Sequence, residues 1–171
     1  AEGLGGPELA AAGCALHEDL VRESFFGISG AVKAGPHLLG VLRHPAGILD
    51  ARRPDALLIV DYPGLNLYVA RLAAARGIPV IYFVAPQLWA WAPWRVRRFA
   101  RVLDEALVIF PFEVAFWRDA GVPATFIGHP LLDALPRDAA ALAAVRDPAI
   151  TSLARPVALL PGSRPREVRD H

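Results

Sequence analysis

Asp61-Tyr62-Pro63-Gly64-Leu65-Asn66 closes the apolar run Ala56 to Val60 with a carboxylate, and an aspartate so placed can take a proton from a hydroxyl. The same residue could instead cap the following helix or bind a ribose, as acidic residues of nucleotide-binding sheets do. A second group follows the apolar run Ile78 to Phe83. Pro86, Gln87, Trp89, Trp91 and Trp94 crowd together there, and Arg95, Arg97, Arg98 and Arg101 come directly after. Aromatic planes beside guanidinium groups suit a sugar ring and a phosphate. Most arginine runs are solvated faces; this one draws its interest from the aromatic box next to it. A third group is Leu159-Leu160-Pro161-Gly162-Ser163-Arg164 with Glu167, which has the form of a strand, a tight turn and a helix start. Backbone amides at such a turn bind phosphate and Arg164 adds a charge-assisted contact, although a simple capped turn would use the same residues. His129 stands alone between Gly128 and Pro130, with Asp133 nearby, and a lone histidine is more often structural than catalytic.

These groups sit in a regular alternation. The run Ala56 to Val60 precedes a predicted helix from Leu65 to Ala75, with Leu65, Tyr68, Val69 and Leu72 on one face and Gly77 as its stop. The strand Ile78 to Phe83 leads into the tryptophan segment, expected as an extended loop. There Trp89 and Trp91 would face opposite ways, one into the core and one toward ligand. A basic helix from Trp94 to Val102, a strand Glu105 to Phe110, a helix Pro111 to Ala120 stopped by Gly121, and a strand Ala124 to Ile127 follow. Strand and helix in alternation imply βαβ units and a parallel sheet covered on both faces, an α/β fold. Asp133 to Pro156 reads as a linker, and Val157 to Leu160 opens a new strand. The domain assignment is therefore 1–150, a Rossmann-like domain, and 151–171, the start of a second domain.

The 171 residues suffice for one domain with its own core. With 54% hydrophobic residues disorder is excluded, and a net charge of +1 gives no field for nucleic-acid binding. The single Cys14 fits a reducing cytoplasm. No stretch has the ~20 uninterrupted apolar residues of a membrane span, and the amino end has no signal-peptide pattern. Methionine is absent, the first residue is Ala1, and the chain stops at His171 where a helix begins, so it reads as an internal piece of a longer protein. Phe25, Phe26, Ile28, Val32, Leu38, Leu39, Val41 and Leu42 form an apolar cluster. Core helix packing explains it, while Lys33, Arg43 and Arg53 nearby fit a surface that inserts into a membrane. No serine elbow, HExxH helix or paired-cysteine spacing is present, against hydrolase and zinc-enzyme readings. No GxGxxG follows an apolar run, against an NAD dehydrogenase.

Taken in order, the motifs resemble the lipid-A-disaccharide synthase family. They are Gly5-Gly6-Pro7, Asp61-x-Pro63-x-x-Asn66, Pro86-Gln87-x-Trp89-Ala90-Trp91, Phe110-Pro111-Phe112-Glu113 and Gly121-Val122-Pro123. They continue with Gly128-His129-Pro130-Leu131-x-Asp133 and Leu160-Pro161-Gly162-Ser163-Arg164-x-x-Glu167. The tryptophan element is the most specific. Leu65 and Ala85 depart from the aromatic and serine more usual there.

The resemblance implies two Rossmann-like domains facing across a cleft, the inverting glycosyltransferase-B architecture. It implies transfer of 2,3-diacylglucosamine from UDP-diacylglucosamine to the 6-hydroxyl of diacylglucosamine 1-phosphate, without cofactor or metal and with Asp61 as base. Asn66, Pro86, Gln87, Trp89, Trp91, Arg95 and His129 would shape the acceptor side, with Arg95 on the acceptor phosphate. Gly162, Ser163, Arg164 and Glu167 would hold the donor phosphates. Attachment would be peripheral, on the cytoplasmic face of the inner membrane. The piece alone is expected to be inactive, because catalysis needs both cleft walls. A UDP-sugar 2-epimerase of similar fold and a non-catalytic lipid-binding module are the other readings.

Overall fold

The computed structural model describes residues 1–19, 35–136, 138–144 and 157. The chain divides into two compact units, Ala1–Gly128 and His129–His171. The apolar runs of the first unit become short parallel strands. β1 (Glu2–Gly5) and β2 (Ala15–Asp19) pair in one sheet, with α1 (Pro7–Ala11) between them in sequence. This small βαβ unit has no apolar run to announce it, because Gly-Leu-Gly-Gly offers few side chains to read.

α2 (Gly35–Arg52) precedes the main sheet, formed by β3 (Leu57–Val60), β4 (Val80–Phe83), β5 (Glu105–Val108) and β6 (Ala124–Phe126) in that spatial order. Every neighbouring pair is parallel; Leu57 sits beside Val80, Ile81 beside Glu105 and Ala106 beside Ala124. The α/β class and the Rossmann-like parallel sheet with flanking helices follow as expected. Parallel pairing puts the carboxyl ends of all four strands on one edge, where folds of this kind place their ligands.

α3 (Pro63–Ala74) joins β3 to β4, and α6 (Glu113–Asp119) joins β5 to β6. Gly77 and Gly121 end these connections at φ +70° and +86°, a backbone that costs glycine nothing. The buried face of α3 differs from the expected one. Leu67, Val69, Ala70 and Ala73 are buried, while Leu65, Tyr68 and Leu72 are half-buried. Small side chains at 70 and 73 let the helix lie close against the sheet, and the bulkier residues flank that contact.

Burial in the sheet is asymmetric rather than complete on both faces. Val80 and Tyr82 of β4 and Ala106 and Val108 of β5 are buried, whereas Ile81, Phe83, Glu105 and Leu107 are half-covered. The core behind the buried face joins Leu49 of α2 to Ala70 and Ala73, and then to Phe99 and Trp117. Phe99 belongs to α5 (Val96–Phe99) and packs its ring 5.8 Å from Tyr82 and 6.2 Å from Trp117.

In the second unit α7 (Leu131–Ala134) runs into the expected linker from Asp133, and α8 (Ala139–Ala144) lies within it. Alanine favours helix, and Asp138 Oδ1 accepts the Ala141 amide at 2.6 Å as a cap. The strand expected over Val157 to Leu160 lies outside the described residues except for Val157. Of the apolar cluster, Phe25, Phe26, Ile28 and Val32 lie outside them too, and α2 carries the remainder. Among the described residues no helix is long and apolar enough to cross a membrane.

Phe99 is the point where α5, β4 and α6 meet. Truncating it to alanine is expected to cost about 3–5 kcal/mol, read as a lower urea midpoint at unchanged m. Trp94→Ala, at a residue 70% exposed, should stay within about 0.5 kcal/mol.

Candidate active site

At the end of β3 the chain turns sharply. Asp61 and Tyr62 both adopt left-handed backbone, φ +47° and +40°, before Pro63 starts α3. Such a conformation costs a non-glycine residue roughly 1–3 kcal/mol and persists where its surroundings over-determine it. Those surroundings are visible. The Tyr82 hydroxyl, reaching across from β4, donates to the Asp61 carbonyl at 2.6 Å. Asn66 Nδ2, one turn into α3, donates to that same carbonyl and to the Val60 carbonyl at 2.8 Å. The corner is thus held from two sides, and the Asp61 side chain is exposed at the edge. The helix that follows has Tyr62 at its N-cap, with no side-chain capping bond.

Burial pushes the Tyr82 hydroxyl far above the usual tyrosine range. The Asn66 amide and the Arg95 charge pull the other way, and the Asp61 charge raises it further. One phenol therefore feels the charge of Asp61 from the β3 side and that of Arg95 from the β4 side.

The segment after β4 is folded rather than extended. Val84 takes φ +54°, a rare backbone for a β-branched residue, and Ala85 and Pro86 are buried. Leu88–Trp91 then forms a helical turn, α4, followed by a 3-10 turn Pro93–Arg95. This corrects the expectation that one tryptophan enters the core. Helical spacing turns Leu88 and Ala92 inward instead, and Trp89 and Trp91 are 39% and 49% exposed. Arg95 lies over the Trp91 ring, 5.1 Å from its centroid, a cation–π contact.

Trp89 is tethered by Glu113, the first residue of α6 and wholly buried. Its Oε1 accepts the Trp89 indole N–H at 2.9 Å, and Oε2 accepts the amides of Ile109 and Phe110 at 3.2 and 3.0 Å. The Trp89 ring meets Phe112 edge-on at 4.9 Å, and Phe112 stacks on Phe110 at 5.6 Å. An aromatic wall therefore rises from the ends of β4 and β5, beside the charged corner at the end of β3.

Of the residues singled out in sequence, Asp61, Asn66, Pro86, Gln87, Trp89, Trp91 and Arg95 fall on this one edge. Asn66 spends its side-chain amide on backbone carbonyls, so it builds the corner. His129 belongs to the second unit, where its Nδ1 accepts the Leu131 amide at 3.2 Å. Gly162, Ser163, Arg164 and Glu167 lie outside the described residues. Tyr82 and Glu113 were passed over as parts of the site. A tyrosine inside an otherwise non-polar strand, and an acid directly after Phe110-Pro111-Phe112, were the signals available.

The fold and this edge define a Rossmann-like α/β protein with a polar, aromatic-lined face at its strand ends. The family follows from comparison: the model of the lipid-A-disaccharide synthetase family matches residues 1–171, and the chain belongs to that family. Similar proteins named lipid-A-disaccharide synthase occur in Geobacter metallireducens, 39% identical over 97% of this chain, and in Myxococcus xanthus, 40% identical over 98%. Another, in Acidobacterium capsulatum, is 42% identical over 98%. The chain spans 42–44% of the length of these relatives.

Tyr82→Phe removes one bond to the Asp61 corner and should cost about 1 kcal/mol at neutral pH. The folded phenol keeps its proton where an unfolded tyrosine, with its ordinary value of 10.0, has lost it. This contribution is whole below pH 10 and is lost as pH climbs through the raised folded value. Alkaline denaturation should therefore erode the wild-type protein more steeply than Tyr82→Phe, as urea midpoints taken between pH 8 and pH 11.5 would register.

Proposed function

We propose that the enzyme containing this chain transfers 2,3-diacylglucosamine from its UDP carrier to the 6-hydroxyl of 2,3-diacylglucosamine 1-phosphate, releasing UDP. The observation carrying this reading is an exposed aspartate on a braced left-handed corner, in a chain matched along residues 1–171 by the lipid-A-disaccharide synthetase family.

Asp61 acts as general base. Its carboxylate takes the proton of the attacking hydroxyl as oxygen bonds to the anomeric carbon, while the bond to UDP breaks with inversion. Tyr82 and Asn66 fix the main chain from which that carboxylate extends. Trp89 and Trp91 offer aromatic surface to sugar and acyl groups, and Pro86 and Gln87 shape the turn that carries them. Arg95, held over Trp91 at 5.1 Å, supplies a guanidinium for the acceptor phosphate. His129 is assigned to the acceptor on its family motif alone. Gly162, Ser163, Arg164 and Glu167 receive the diphosphate of the donor. Residues 1–150 then form the acceptor-side domain, and 151–171 open the domain that binds the nucleotide sugar.

Both substrates carry acyl chains, so the enzyme meets them at the bilayer surface. The cluster from Phe25 to Leu42, with Lys33, Arg43 and Arg53, provides apolar insertion beside cationic anchoring. The attachment is peripheral, on the cytoplasmic side of the inner membrane, and weakens with salt.

The decisive measurement is product analysis with protein of the full family length containing this segment. Disaccharide plus UDP supports transfer; isomerised UDP-sugar supports an epimerase, and neither product supports a lipid-binding module. In the same protein Asp61→Asn should retain donor affinity and lose about a hundredfold or more in turnover. Near-normal turnover would remove Asp61 from the role of base.

A further inference from the structure

Glu113 has no part in the chemistry proposed above, yet it is an ionisable side chain with 0% exposure. Burying a carboxylate is costly unless its oxygens are satisfied, and here both are. Oε2 takes the two amides of Ile109 and Phe110, which closes the turn between β5 and α6. A negative charge at the first residue of a helix is favourable in its own right. Closing that turn needs only one oxygen. The other, Oε1, is spent on the indole of a tryptophan that is 39% exposed.

Tethering a ring that stays partly in solvent adds little to the core. What it does is fix an orientation. The hydrogen bond from the indole N–H to Glu113 Oε1, at 2.9 Å, holds one end of the Trp89 ring, and Phe112, edge-on at 4.9 Å, sets its plane. Phe112 is itself stacked on Phe110, whose amide Glu113 also holds. One carboxylate therefore governs both supports of a ring that keeps open surface at the carboxyl edge of the sheet.

We propose that Glu113 is a positioning residue, which sets the Trp89 indole in the plane that stacks on the pyranose ring of the acceptor. A ring already oriented loses less conformational freedom when ligand arrives. The identity of the ligand as a sugar rests on the function proposed above; the tether does not.

Glu113→Gln isolates the role. One amide oxygen can serve the Ile109 and Phe110 amides or the indole, and the amide NH2 is then left facing another donor. Keeping the two backbone bonds releases Trp89. In full-length protein with 15N-labelled tryptophan, the Trp89 indole N–H signal is assigned by its loss in Trp89→Phe. That signal should move and exchange faster with solvent in Glu113→Gln, while the Trp117 signal stays in place. KM for diacylglucosamine 1-phosphate should rise roughly threefold to tenfold, the worth of one aromatic contact. The kcat should stay within about twofold, because the contact is made equally in ground and transition states. In a Trp89→Phe background the same change should add nothing further.

A defect of folding alone would reduce active protein, lowering kcat at unchanged KM. That result, an unmoved indole signal, or additive effects of the two substitutions would overturn the proposal. Failure of the transferase reading shows separately, as no disaccharide from unsubstituted enzyme. Affinity for diacylglucosamine 1-phosphate measured by titration, together with the indole signal, then decides the positioning role.

Discussion

The bond from the Tyr82 hydroxyl to the Asp61 carbonyl connects the hydrophobic core to the exposed edge of the sheet. The Tyr82 ring is wholly buried and packs against Phe99, while its oxygen reaches the backbone of the neighbouring strand's end at 2.6 Å. An apolar body with a polar tip lets one side chain serve both environments. The corner at Asp61 and Tyr62 is strained, and strain of this kind survives only where neighbouring groups leave the chain no better choice. Packing around Phe99 is therefore part of what keeps Asp61 where it is, although the two residues lie in different layers.

A second polar anchor acts one strand further along. Glu113 does for the ends of β4 and β5 what Tyr82 does for the ends of β3 and β4. Each is a buried group whose hydrogen bonds end on residues of the edge, and each joins segments that are distant in sequence: 61 with 82, and 89 with 109 and 113. Fixed supports of this kind hold reactive and binding groups in place without relying on the loops that carry them. Of the non-glycine left-handed residues among those described, Asp61, Tyr62 and Val84 lie at these strand ends, and Arg53 directly follows α2. Strain and its compensation are concentrated where the proposed chemistry takes place.

Parallel topology explains why these features meet at all. In an antiparallel sheet the ends of β3, β4 and β5 would alternate between two edges. Here every connection returns through a helix, so Asp61, the tryptophan turn and the Phe110 corner share one edge. In the proposed transferase that edge forms one wall of the cleft, with the carboxylate on the β3 side and the aromatic surface on the β5 side.

Much of this was legible in the residues themselves. Short apolar runs separated by helical periods specify parallel βαβ units, and Gly77 and Gly121 mark where the helices stop. Asp61 and the tryptophan segment stand out by composition, and the order of motifs is enough to indicate the family. Local patterns did not determine which face of α3 is buried, since small alanines at 70 and 73 are preferred only once a sheet lies against them. The helical turn at Leu88–Trp91 likewise depends on Leu88 finding the core. The β1–β2 pair escaped notice because a glycine-rich strand carries too few side chains to show alternation. Tyr82 and Glu113 read as ordinary members of a strand and a helix start until their partners are seen. A hydrogen bond across 21 or 24 residues has no signature in either segment alone. Residue pattern alone sets the order of elements from β3 to β6 and the chemical groups at those strand ends. Which buried groups hold them there follows from packing in three dimensions, because it depends on distances between segments far apart in the chain.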